Sequence, residues 1–123
     1  MPPDVPTRSD PDCLFCRIVA GEIPSTQLHA DELVVAIRDV APRAPTHVLL
    51  LPREHIASAV DVGEEHAAML GRLYEVAGRL AREEGLAELG YRMVTNVGRY
   101  GGQTVPHLHI HLLGGRPFAW PPG

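Results

Sequence analysis

An α+β fold, with a sheet built from five strand runs and its helices on one side, is the architecture this sequence predicts, and three observations carry that reading. Five short runs of strand formers, at 27–29, 33–38, 48–51, 91–95 and 106–113, are separated by turn and loop residues. Only one segment, Glu64–Glu84, has the length and apolar spacing of a long amphipathic helix. In the last run His107, His109 and His111 alternate with Leu108, Ile110 and Leu112, a period of two that belongs to a strand.

Each element has a local reason. Asp12–Ala20 reads as a short helix ended by Gly21 and the Ile23-Pro24 step. Gln27–His29 and Leu33–Arg38, joined by a turn at Ala30–Glu32, form a small antiparallel meander with Val48–Leu51. Pro42 and Pro45 make Asp39–Thr46 a loop. The long helix has Asp61 as N-cap and Glu64 completing a capping box, with His66, Met69, Leu70, Leu73, Val76, Ala77 and Leu80 on one face and Gly85 as its stop. His66 reads as a packing or edge residue. Tyr91–Thr95 is the next strand, Val97–Gly102 a Gly-rich loop, and Pro106–Leu113 the histidine strand.

The 123 residues, 45% apolar, suit one domain from 12 to 123, with a loose tail at 1–11 and a C-terminal tail at 115–123. The start has neither a basic nor an apolar signal region, and no stretch approaches the roughly 20 apolar residues of a membrane span, so the expected location is cytoplasmic. All 11 positively charged side chains are arginine, which excludes phosphate-loop and Schiff-base lysine chemistry. A formal charge of -4 without a basic cluster argues against a dedicated nucleic-acid binder.

A strand places the three imidazoles on one face, about 6.6 Å apart and about 13 Å from first to last, too far for one metal ion to use all three. A histidine-rich polar face without chemistry, or a tag remnant, is the plainer alternative. Tags are contiguous, however, and here every intervening residue is one a core can use. Asn96, Gly98, Gly101, Gly102, Gln103 and Thr104 precede the strand; glycine N–H groups with Asn, Gln and Thr donors suit a phosphate held without lysine, although Gly-Gly alone fits an ordinary hairpin. A neutral imidazole attacks phosphorus well and leaves it readily. His109, flanked by the other two, is the expected nucleophile, and His111 the phosphate contact.

Cys13-Leu-Phe-Cys16 has the spacing of two thiolates sharing a metal, of a redox pair, or of two unligated thiols. A structural tetrahedral site needs two more ligands. Of His29, His47, His55 and His107, the expected pair is His55, just past the 48–51 strand, and His107, which phosphate does not require; His47 is the alternative to His55.

These residues resemble the histidine-triad proteins, and within them the Hint branch of nucleotide-binding phosphoramidases. The resemblance runs from Asp12 to Gly123. It rests on the triad, Asn96, the Gly101-Gly-Gln-Thr-Val105 lead-in, Asp39, Ala44-Pro-Thr-His47, and the ending Gly114-Gly-Arg with Trp120-Pro-Pro-Gly123. It implies a homodimer whose two five-stranded antiparallel sheets join into one, binding a purine nucleotide of AMP or GMP type. It also implies hydrolysis of purine nucleoside phosphoramidates through a nucleotidyl-histidine on His109. His107 and His111 complete the catalytic triad, with His111 on the phosphate. Thr104, where relatives often carry Ser, meets phosphate or the leaving amine. Gln103, Gly102 and Asn96 serve the phosphate and sugar, Asp39 the ribose hydroxyls, and Val40 the base. Cys13, Cys16, His55 and His107 match the zinc ligands of metal-binding members, with one structural zinc per chain outside the reaction. Trp120 is expected near the paired active sites, shaping the leaving-group side. A dinucleoside polyphosphate hydrolase and a nucleotide-responsive regulatory protein are the competing functions.

Overall fold

The computed structural model describes residues 8–123, so most of the tail expected at 1–11 lies outside the described residues. The strands are β1 (Gln27–Ala30), β2 (Val34–Arg38), β3 (Thr46–Pro52), β4 (Tyr91–Val94) and β5 (Ile110–Gly114). They form one sheet in the order β1-β2-β3-β5-β4, every neighbouring pair antiparallel. This is the five-stranded antiparallel sheet that the resemblance implies.

The helices are α1 (Leu14–Val19), α2 (Ala67–Glu83) and α3 (Gly98–Gly101), the last a single turn inside the segment expected to be loop. They do not all lie on one side. Val34, Ala36, Val48 and Leu50 of the central strands pack with Leu108, Ile110 and Leu112 against Met69, Leu73, Val76, Ala77 and Leu80 of α2. The alternate residues Val35, Ile37, Leu49 and Leu51 pack with Cys13, Phe15 and Cys16 at α1. Strand alternation makes these opposite faces of the sheet, so α1 and α2 sandwich it, and β3 is buried along its whole length.

The long helix begins later than its N-cap pattern suggests. Single 3₁₀ turns occupy 59–61 and 64–66, broken by an extended Gly63. Ser58, not Asp61, caps the first turn by accepting from the Val60 N–H, and His66 Nδ1 accepts from the Gly63 N–H at 2.9 Å. His66 is thus a buried capping side chain at the helix entrance. At the other end a bidentate Arg38–Glu84 pair, 2.7 and 3.0 Å, ties α2 to the end of β2.

The histidine strand is also shorter than its alternation. Leu50 pairs with Ile110 as the last rung between β3 and β5; before it the chain bends so that the Leu108 N–H donates to the Ile56 carbonyl. The C-terminal segment lies along its own chain as far as Ala119, whose carbonyl accepts from Arg92 at 2.9 Å, and the Phe118 ring receives the guanidinium groups of Arg116 at 4.3 Å and Arg92 at 5.4 Å. Among the described residues, no helix is long and apolar enough to cross a membrane.

Candidate functional site

Leu108, Ile110 and Leu112 turn into the core under α2, which leaves His107, His109 and His111 on the face that α1 covers. The alternation therefore sorts side chains as expected even where the ladder has ended. Phe15 stands edge-on to both His107 and His109, with ring centroids 5.9 and 5.0 Å away, and the rings of His109 and His111 are 5.1 Å apart.

Hydrogen-bond partners determine which nitrogen of each ring carries the proton, because a carbonyl only accepts and a backbone N–H only donates. His109 Nδ1–H donates to the His107 carbonyl at 2.6 Å, so Nε2 of a neutral His109 keeps its lone pair. His107 Nε2–H donates to the Pro52 carbonyl at 2.9 Å, so its Nδ1 is the free donor atom. His47 Nδ1 accepts from the Arg43 N–H at 3.0 Å; its Nε2–H then donates to His111 Nδ1 at 2.9 Å, and His111 carries its own proton on Nε2.

Burial favours the neutral form of His47, His107 and His111. Burial lowers the pKa of His111 to about 4, helped by His109 and His47 and opposed by Asp39. Burial also lowers His47, with Asp39 opposing. His107 is brought down to about 4 by burial, against the hydrogen bond to Pro52 and together with its His55 and His109 neighbours. The hydrogen bonds thus leave one imidazole nitrogen, His109 Nε2, and one imidazole N–H, that of His111, without a partner in this network, the nucleophile and the stabiliser that attack on phosphorus needs.

Cys13 Sγ, Cys16 Sγ, His55 Nδ1 and His107 Nδ1 lie within 4.8 Å of one another, the set read from the sequence, with His55 rather than His47 beside the cysteines. A tetrahedral ion bound at ordinary Zn–S and Zn–N lengths would separate sulfur from nitrogen by about 3.6 Å. The contacts are 3.4 Å for Cys13 to His107, 3.3 Å for Cys16 to His55 and 3.5 Å for Cys16 to His107. The donor set fits a metal ion, and the Pro52 carbonyl behind His107 is the outer partner that orients such a ligand. Without a metal, burial pushes the Cys13 thiol up. Asp39, His47 and His111 also converge, but 2.9 Å between two imidazole nitrogens is a hydrogen bond, shorter than the about 3.3 Å edge of a shared tetrahedral ion.

The remaining residues singled out from the sequence lie around this face or beyond it. Asp39 Oδ2 is 3.4 Å from His47 Nε2, and Asp39 and Val40 line a concavity with Pro24, Ser25, Thr26 and Arg38, Val40 being 98% exposed. Gln103 braces the lead-in loop: its Oε1 accepts from the Gly98 N–H, and its Nε2 donates to the Ala57 and Val105 carbonyls. Gly102 holds φ +81, while Thr104 is exposed and Asn96 half-buried. Trp120 is 82% exposed. Two residues escaped the sequence reading. The sequence offers His47 as a candidate metal ligand and within Ala44-Pro-Thr-His47, and Phe15 only within Cys-Leu-Phe-Cys; the bond from His47 to His111 and the ring contacts of Phe15 depend on partners more than 60 residues away.

Comparison with known proteins identifies the family. A HIT domain family model matches residues 20–118. The purine nucleoside phosphoramidase of Escherichia coli K12 is 49% identical over 106 residues, covering 86% of this chain and 89% of its own. Adenylylsulfatase HINT1 of Arabidopsis thaliana is 45% identical over 119 residues, 95% of this chain and 80% of its own, and the 14 kDa zinc-binding protein of Zea mays is 46% identical over 116 residues, 93% and 90%. A HIT family hydrolase from Legionella pneumophila has a crystal structure that superposes with a TM-score of 0.89 at 50% identity, covering 91% of this chain and all of that one. With this match spanning most of its length, and its three histidines on one side of the sheet, the chain belongs to the HIT domain family, among relatives of the Hint branch.

Proposed function

We propose that the protein is a hydrolase of purine nucleoside phosphoramidates, acting through a nucleotidyl-histidine on His109. The observation that supports this most directly is the tautomer order, in which His109 Nδ1–H is tied to the His107 carbonyl and Nε2 is left as the nucleophile. In the first step the Nε2–P bond forms, the P–N bond breaks, and the amine departs with a proton taken from solvent. Water then attacks the same phosphorus, the Nε2–P bond breaks and the water's proton returns to solvent, giving the nucleoside monophosphate and restoring His109. His111 Nε2–H donates to a phosphoryl oxygen, and its neutral state is favoured by burial.

Thr104 is assigned to the leaving amine, and Asn96, Gly102 and Gln103 to the phosphate and sugar side. Asp39 is assigned to the ribose hydroxyls and Val40 to the base, beside the concavity that they line. Zinc, one ion per chain, is the metal assigned to Cys13, Cys16, His55 and His107. When bound it supplies a tetrahedral cross-link between the start of α1 and the chain around β5. A homodimer whose two sheets join into one is proposed; among the described residues β1 and β4 are the edge strands at which a second sheet could add. The expected location is cytoplasmic.

The test is His109→Asn. It should abolish turnover while binding of the monophosphate persists, and acid quenching of the wild-type reaction should trap the labelled nucleotide on His109. Retention of more than about a hundredth of wild-type activity would exclude His109, because loss of a covalent step removes several powers of ten.

A further inference from the structure

We infer that Phe15 is a positioning residue for the nucleophile His109, and that the Cys13/Cys16/His55/His107 cluster sets where Phe15 stands. The inference rests on reading His109 as the nucleophile and extends it.

His109 is clamped from three directions. Its Nδ1–H is held by the His107 carbonyl, the His111 ring lies on one side, and Phe15 meets it edge-to-face with an interplanar angle of 82°. Aromatic pairs at this separation prefer that geometry, and in a close-packed interior a neighbouring ring also limits rotation. Of the three, Phe15 is the one brought by a different element. It belongs to a six-residue helix, far below the length at which a helix holds itself in water. The α1 segment is anchored by its apolar contacts with β2 and β3 and by the two cysteines that flank Phe15. Cys13 Sγ contacts His107 and Cys16 Sγ contacts His55 and His107.

The two routes to the nucleophile share one residue. His107 points Nδ1 into the cluster while its carbonyl takes the His109 proton. A change in the cluster therefore reaches His109 both through the main chain of His107 and through the ring of Phe15. The cluster takes no part in bond making, yet it governs how often Nε2 points along the line of attack, a quantity on which rate depends steeply.

Phe15→Leu keeps an apolar side chain and removes the ring edge. The zinc-loaded variant should show kcat on an adenosine phosphoramidate lowered about tenfold or more, with KM and the Kd for AMP within threefold. In long-range proton–nitrogen spectra of histidine-labelled protein, the His109 Nδ1–H signal should broaden and the Nε2 signal move toward a mixture of tautomers. An unchanged His109 spectrum with kcat within twofold overturns the inference, as does a fall in kcat matched by equal weakening of AMP binding. Should Phe15→Leu not fold, Phe15→Met and wild-type protein stripped of zinc carry the test. Stripping should blur the His109 signal and restoring zinc should recover it; a His109 spectrum indifferent to zinc overturns the coupling. The spectra need no turnover, so they decide the positioning claim even if His109→Asn exposes a different nucleophile.

Discussion

Replacing His47 by Phe probes how the site controls the proton on His111. His47 is 5% exposed and bridges two groups, accepting from the Arg43 N–H at 3.0 Å and donating to His111 Nδ1 at 2.9 Å. Phe retains a ring of similar bulk and neither nitrogen, so His111 loses the donor that keeps its own proton on Nε2, facing substrate. A neutral hydrogen bond of this kind contributes about 0.5–1.5 kcal/mol net, and each 1.36 kcal/mol is about tenfold in rate. The expected kcat at pH 7 is therefore lower by about twofold to about twelvefold, with AMP affinity within threefold. A second readout follows from the charges. His111 is held at about 4 by burial, then by His109 and His47, with only Asp39 opposing. Removing His47 takes away one depressing neighbour and leaves Asp39, so His111 should titrate at higher pH in a residue-resolved NMR experiment. Turnover within twofold of wild type, together with a His111 titration still near pH 4, would refute the relay from Arg43 through His47 to His111.

Three further outcomes are expected. Asp31, 12% exposed, accepts from His29, Arg72 and the Leu33 and Val34 N–H groups; burial alone would raise its pKa, but His29 and the two N–H groups bring it down to about 2. Asp31→Asn should lose about 2 kcal/mol in urea unfolding at pH 7. Because the folded pKa lies below the unfolded one, this stabilisation is present above about pH 4 and vanishes as pH falls through 2; equal urea midpoints at pH 7 would refute it. Elemental analysis of protein purified without added metal should find about one zinc per chain, and a metal-bound structure using His47 instead of His55 would contradict the ligand set. Deleting Phe118–Gly123 should reorder the preference among amine leaving groups while AMP affinity stays within about threefold, under roughly 0.7 kcal/mol; an equal loss for every amine would mean that the tail only stabilises the fold.

Much of the site was legible in the chain because its signals are local. The alternation at 107–112 sorts three histidines from three aliphatics whatever lies around them, and it held even where β5 has no ladder partner. The two-residue gap between Cys13 and Cys16 puts both sulfurs within reach of one ion, and the choice of His55 and His107 as their companions agrees with the cluster seen. The apolar spacing of Met69, Leu73, Val76, Ala77 and Leu80 likewise describes the buried face of α2.

Tertiary structure decided what local pattern does not encode. A six-residue helix with two buried side chains carries no signal for which sheet face will take it, and α1 settled opposite α2 because the odd-numbered residues of β2 and β3 are as apolar as the even ones. The ends of α2 and β5 moved for similar reasons: an extended Gly63 interrupts the N-terminal turns, and the chain at 107–108 bends toward Pro52 and Ile56 instead of extending the ladder. Nor does composition say which nitrogen of a histidine carries its proton. That follows from single carbonyl and amide partners, Pro52 for His107, the His107 carbonyl for His109 and Arg43 through His47 for His111, and a hydrogen bond between residues 64 apart exists only once the chain has folded.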